Sequence, residues 1–214
     1  MAHESQGCAA SGDASPTGVT EEMLWPEAFK STVKVGPDRE IVSVYPYRNA
    51  CPTSVWSAMI DKAERDILFG GYTNYFLWQE QPRLAQRLKT KCEAGCRVRF
   101  LLGTPDSPTT KAREENEDVP LTISTRIRIT LDALEKMGDV DGLEHRFSEG
   151  HLAMSVFRMD DQMLVTPHLT GMLGHDSPTF HLRRLESDGV FDRFATHIET
   201  LWEEAQATCQ PPAE

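Results

Sequence analysis

The chain has 214 residues, enough for one well-cored domain and short for two. Its composition (39% apolar, 8% aromatic, 26% charged) is globular and excludes fibrous and wholly disordered classes. Thirty-three acidic residues against 22 basic ones give a net charge of -11, the opposite of the basic surface that neutralises phosphates, so direct contact with nucleic acid is not expected.

Residues 1–22 are rich in Ala, Ser and Gly, without the basic flank and apolar stretch of a secretory signal, and predict a disordered tail. No apolar run approaches the roughly 20 residues that span a bilayer. The expectation is a cytoplasmic protein with no membrane contact. Residues 23–40 predict a short amphipathic helix around Met23, Leu24 and Phe29, then a linker turning at Pro37-Asp38.

The folded domain is expected over residues 41–205. Ile41 to Tyr45 reads as a buried strand, stopped by Pro46. Val55, Trp56, Met59, Ile60 and Ala63 make one stripe on a helix. Ile67-Leu68-Phe69 is a second strand running into Gly70-Gly71, a pair that lets backbone approach something closely. Leu84, Leu88 and Cys92 mark a helix capped at Gly95, and Arg97 to Leu102 a third strand. Thr104 to Leu121 is polar and reads as loop or frayed helix, its Glu114–Asp118 run a solvated face. Ile123, Ile127, Leu131 and Leu134 give a helix on which Arg126 and Arg128 read as surface. Leu143 to Phe147 is a strand. Met154 to Met159 and Gln162 to Thr166 form a hairpin about Asp160-Asp161, and Thr179 to Leu185 is another strand. Val190, Phe194, Ile198, Leu201 and Trp202 make the last helix, and residues 206–214 predict a second disordered tail. Alternating strands and helices imply an α/β fold, a mostly parallel sheet with a C-terminal antiparallel hairpin, flanked by helices.

The five cysteines stand at irregular positions. Cys92 and Cys96, four apart, have no second ligand pair and read as small buried hydrophobes, with no metal and no cofactor expected. Gly-x-Ser-x-Gly, the Walker loop and Gly-x-Gly-x-x-Gly are absent.

Several stretches resemble phospholipase D-type domains. Glu93-Ala94-Gly95-Cys96-Arg97-Val98-Arg99-Phe100-Leu101-Leu102-Gly103 resembles their helix-to-strand unit, and Phe157-Arg158-Met159-Asp160-Asp161-Gln162-Met163-Leu164-Val165 their central hairpin. Tyr45-Pro46-Tyr47-Arg48, Leu102-Gly103-Thr104-Pro105-Asp106-Ser107 and His181-Leu182-Arg183-Arg184-Leu185 are similar to a domain of unknown function that follows a helix-turn-helix in actinobacterial regulators. The resemblance, over Ile41 to Glu204, implies a phospholipase D-like single half. That superfamily cleaves phosphodiesters with His-x-Lys-x4-Asp from each of two halves. One histidine attacks phosphorus, another protonates the leaving group, and lysine balances phosphate charge. Anchored on Asp160, the motif finds Ala153 and Ser155 at the His and Lys positions; on Asp161, Met154 and Val156; on His151, Ala153 and Arg158 stand for Lys and Asp. No register satisfies it.

The polar residues that remain define a candidate anion site: Tyr45, Tyr47 and Arg48 where the first strand releases its chain; Ser155, Arg158, Thr166 and His168 on the hairpin; His181 and Arg183 on one face of the following strand. The expectation is a non-catalytic sensing or regulatory domain for a small, phosphate-bearing anion. The alternative is a phosphodiesterase or phosphotransferase using noncanonical histidines, His151 and His168. A lone half leaves its twin's surface uncovered, so the expected partners are a second copy of the chain, bringing two Ser155–His168 sets together, or a separate regulatory protein.

Overall fold

The computed structural model describes residues 37–207; the expected N-terminal helix, the N-terminal tail and residues 208–214 lie outside them, whereas Gln206 and Ala207, expected in the second tail, form a short strand. Eight strands form one sheet in the order β1-β7-β6-β5-β2-β3-β4-β8. They are β1 Ile41–Tyr45, β2 Asp66–Gly70, β3 Arg97–Gly103, β4 Leu143–Ser148, β5 Met154–Met159, β6 Gln162–Pro167, β7 Thr179–Arg183 and β8 Gln206–Ala207. The helices are α1 Thr53–Lys62, α2 Tyr75–Glu80, α3 Leu84–Glu93, α4 Pro108–Asn116, α5 Thr122–Met137 and α6 Val190–Glu204. No helix among the described residues is long and apolar enough to cross a membrane.

The fold is mixed α/β, but the sheet is mostly antiparallel, which corrects the expectation of a mostly parallel one. Only β2–β3 and β3–β4 run parallel, joined by α3 and by α4–α5. β5, β6 and β7 form an antiparallel meander attached to β2. The first strand is the source of the error. β1 enters no βαβ unit; it pairs antiparallel with β7 at the sheet edge, and Ile41, Val42 and Val44 are exposed. Its apolar run mimics a central strand, but the connection over residues 46–65, with α1 inside it, joins β1 to a strand that is not its neighbour in the sheet.

β2 and β3 are apolar on both faces because helices cover both. Phe69, Phe100, Phe157 and Leu164 pack on one side with Trp56 and Ile60 of α1 and Leu88 of α3. Leu68, Leu101, Val156 and Leu182 pack on the other with Phe191, Ile198 and Trp202 of α6. The Asp160-Asp161 turn is structural. Asp160 sits in the left-handed region (φ 51°), and its carboxylate accepts from the backbone N–H groups of Glu64, Arg65 and Asp66 at 2.8–3.0 Å, fastening the hairpin to the start of β2.

The segment after β3 is more ordered than its polarity suggests. Ser107 caps α4, accepting from Thr110 N–H at 3.1 Å, with Pro108 in the first turn. Glu114 is buried rather than solvated. Its carboxylate accepts from Leu121 N–H at 3.0 Å and Ser124 N–H at 2.7 Å, satisfying orphan donors at the start of α5.

Candidate anion site

The parallel strands β2 and β3 and the antiparallel start of β5 end on the same side of the sheet, where an open α/β sheet holds ligands. Gly70-Gly71 releases the chain from β2 there. Gly71 is needed for space: a Cβ on it would lie 2.7 Å from Ser155 Oγ and 3.2 Å from Asn74 Oδ1. A cavity of about 70 Å³, roughly two waters' worth, opens at this point. Ser155, Phe157 and His168 form its floor, and Arg48, Asn74 and Arg113 line its walls.

Ser155 and Thr166 are register partners on β5 and β6, and His168 follows two residues on, on the same face. His168 Nδ1 lies 2.8 Å from the carbonyl of Leu152, so this nitrogen carries the proton and donates. Nε2 is then the acceptor for Ser155 Oγ at 2.9 Å. Burial, and next the Arg113 guanidinium, push the His168 pKa down to about 4, so the ring is neutral at pH 7. Beside it, Tyr72 Oη accepts from Leu152 N–H at 3.2 Å and pairs with His151 Nδ1 at 3.0 Å.

The cavity is cationic within an acidic protein. Arg48, Arg113 and Arg126 line it against one carboxylate, Glu117, which pairs with Arg113. Arg48 is the unusual member. No hydrogen bond or ion pair reaches its guanidinium among the described residues, and its Nε is buried without a partner. The group lies 3.9 Å from the Phe76 ring centroid, and burial pushes its pKa down to about 10. Asn74 Oδ1 is a second buried, unpartnered polar atom on the same wall, while Asn74 Nδ2 donates to the carbonyls of Phe69 and Leu101.

Of the residues singled out from sequence, the structure gathers Arg48, Ser155 and His168 at the cavity. The others lie elsewhere. Tyr45 packs against the core, and Tyr47 is exposed. Thr166 is fully buried, its hydroxyl 2.8 Å from that of Thr179. Arg158 alternates to the opposite face of the sheet, where it joins Arg99, Asp66 and Glu199 in an ion network. His181 pairs with Gln162 at 3.1 Å, and Arg183 lies opposite Gln162 beside the hairpin turn, a strand length from Ser155. Strand direction separates these residues: β7 approaches the cavity end at Thr179, not at Arg183. Tyr72, Asn74, Arg113 and Arg126 are cavity residues that sequence reasoning missed. The Gly70-Gly71 signal pointed at the first two; Arg113 and Arg126 come from helices whose faces composition does not reveal.

No family model matches the chain, and no curated protein does. Among solved structures, the chain is similar to TrmBL2, an archaeal chromatin protein described as showing a novel mode of DNA binding. The identity is 15% and the TM-score 0.47, over 87% of this chain and 60% of that one. This chain therefore spans less than two thirds of the chromatin protein's length. It is also similar to Nuc, a phospholipase D family member from Salmonella typhimurium, at 12% identity and TM-score 0.47, over 78% of this chain and 97% of that one. Likenesses this distant assign neither activity nor ligand. The exclusion of nucleic acid is nonetheless withdrawn, because a DNA-binding protein stands among the matches. Net charge sums over the whole chain and is silent on a local field, which at this cavity is positive.

Proposed function

We propose that the chain is a ligand-sensing module that binds a small phosphate-bearing anion in the cavity at the end of β2, without turning it over. Arg48 carries the reading: a partly buried guanidinium with no ion-pair or hydrogen-bond partner among the described residues is costly unless an anion completes it. Arg113 and Arg126 add to the field, and Ser155 Oγ offers a further polar contact. The resemblance of the hairpin to phospholipase D-type domains supports a phosphate ligand, and the missing His-x-Lys pair and lysine-free lining support the absence of turnover.

Thermal unfolding in a series of inorganic phosphate concentrations tests the reading. At 100 times its Kd, a ligand of the native state adds about 2.7 kcal/mol. At roughly 2–4 °C per kcal/mol for a chain of this size, the melting temperature should rise by about 5–10 °C. An equal response from the Arg48→Ala variant would refute it. A second reading, phosphoryl transfer with Ser155 as nucleophile and His168 as base, is favoured by their 2.9 Å contact alone.

A further inference from the structure

The cavity beside Arg48 is the inner end of a longer groove. Outward lies a space of about 230 Å³ lined by Asn49, Gln79 and Glu80, and beyond it one of about 470 Å³ lined by Tyr75, Leu121 and Ile129. Arg126 borders all three, and Tyr75 and Gln79 border the outer two.

The chemistry changes in order along this path. The inner end is cationic, the middle adds the Asn49 and Gln79 carboxamides and the Glu80 carboxylate, and the outer end sets Tyr75, Leu121 and Ile129 among the Thr122 and Thr125 hydroxyls. Leu121 at that end is 69% exposed and held in the left-handed region (φ 60°), a conformation that costs a leucine free energy. The buried Glu114 carboxylate holds it there by accepting from its N–H. The Tyr75 ring beside it has the Arg126 guanidinium 5.9 Å from its centroid.

We propose that the site takes a phosphomonoester carrying a flat apolar group on a short hydroxylated spacer, the layout of a nucleoside monophosphate. This inference rests on the anion-binding reading above and specifies its ligand. The phosphate sits between Arg48 and Arg126, the two lining guanidinium groups that no carboxylate pairs among the described residues, and their charges match a dianion. Spacer hydroxyls meet Gln79 and Glu80, and the flat group lies on Tyr75 and Leu121. One feature selects a terminal phosphate over an internal diester. The inner cavity has room for one oxyanion, with Phe157 and the Ser155–His168 pair closing its floor.

Isothermal titration of the full chain with inorganic phosphate, ribose 5-phosphate, AMP, adenosine and the dinucleoside monophosphate ApA tests this. AMP should bind at least about fivefold tighter than ribose 5-phosphate, the gain expected from stacking one base. Adenosine and ApA should bind far more weakly than AMP. Tyr75→Ala should remove the advantage of AMP and leave ribose 5-phosphate unchanged. Leu121→Ser, on an exposed side chain, should weaken AMP selectively and guards against misfolding of the first variant. Equal affinity for AMP and ribose 5-phosphate, with both abolished by Arg48→Ala, would overturn the nucleotide class while leaving anion binding intact. ApA binding as tightly as AMP would overturn the terminal-phosphate assignment. Failure of every phosphate to bind would overturn both the inference and the reading beneath it.

Discussion

Arg48 makes the anion-binding reading falsifiable through stability as well as affinity. Its pKa is pushed down to about 10 because burial opposes the charge more than Glu80, which lines the adjoining space, supports it. At pH 7 the group is protonated folded and unfolded, so that depression of about 2.5 units is a folding penalty of about 3 kcal/mol, at 1.36 kcal/mol per unit. Arg48→Met removes the penalty and keeps much of the side-chain volume over Phe76. It also forfeits the cation–π contact, worth about 0.5–2 kcal/mol. The net expectation is an unliganded variant more stable than the parent by about 1–2 kcal/mol, with no response to phosphate. Urea denaturation with and without phosphate reads both quantities. A variant less stable than the parent, or one that phosphate still stabilises, would show that Arg48 is satisfied by the protein and that the cavity is not built around it.

Gly71→Ala should cost about 1–3 kcal/mol and abolish phosphate binding, since its Cβ would displace Ser155 Oγ from 2.7 Å; full stability with intact binding would contradict the packing there. His168, with a folded pKa near 4 and an unfolded one near 6.5, contributes stability fully present above pH 6.5 and lost as pH falls toward 4. The loss is about 3 kcal/mol in total, and His168→Gln should flatten that limb in a pH series of urea midpoints. Arg99, 1% exposed, is held by Asp66 and Glu199, so Arg99→Met should destabilise by about 2–3 kcal/mol, because both carboxylates lose their most buried partner and keep only Arg158 and, at Asp66, Arg97; a change under 1 kcal/mol would show Arg99 to be dispensable in that network. Hydrolysis of bis-p-nitrophenyl phosphate should not exceed the buffer blank; turnover abolished by His168→Ala would promote the phosphoryl-transfer reading instead.

Local pattern made most of the elements legible. The stripe of Val55, Trp56, Met59 and Ile60, the strands around Leu68 and Phe100, and the hairpin about Asp160 each follow from periodicity or turn chemistry within a few residues. Pairing direction was not legible. β1 carries the same apolar run as a central strand, and only the antiparallel contact with β7, some 140 positions along the chain, places it at the edge. α2 was missed because Tyr75–Glu80 is a single short amphipathic stretch after two glycines. Of the site, Ser155 and His168 could be paired by counting across a hairpin, since register is a local property. Arg48 was reached by its place after a strand. Tyr72, Asn74, Arg113 and Arg126 converge only through tertiary packing of β2 against α4 and α5, which no spacing encodes.

The features that break local rules concentrate at one place. Asn74 adopts φ 48° and leaves a buried oxygen unpaired; Gly71 is crowded so closely that no side chain fits; Arg48 is partly buried with no ion pair among the described residues; His168 is kept neutral beside cations. The opposite face shows what the same chain does where only stability is at stake. There Arg99 and Arg158 are each matched by Asp66 and Glu199, with donors 2.5–3.1 Å from acceptors. The fold compensates Arg99 and Arg158 on one side of the sheet, whereas Arg48 on the other has no ion pair among the described residues, the contrast on which the anion-binding proposal rests. On that reading, a bound anion would raise the depressed pKa of Arg48 and offset its folding penalty together. Ligand binding at the end of β2 would then stabilise the fold, the coupling that the proposed sensing role requires.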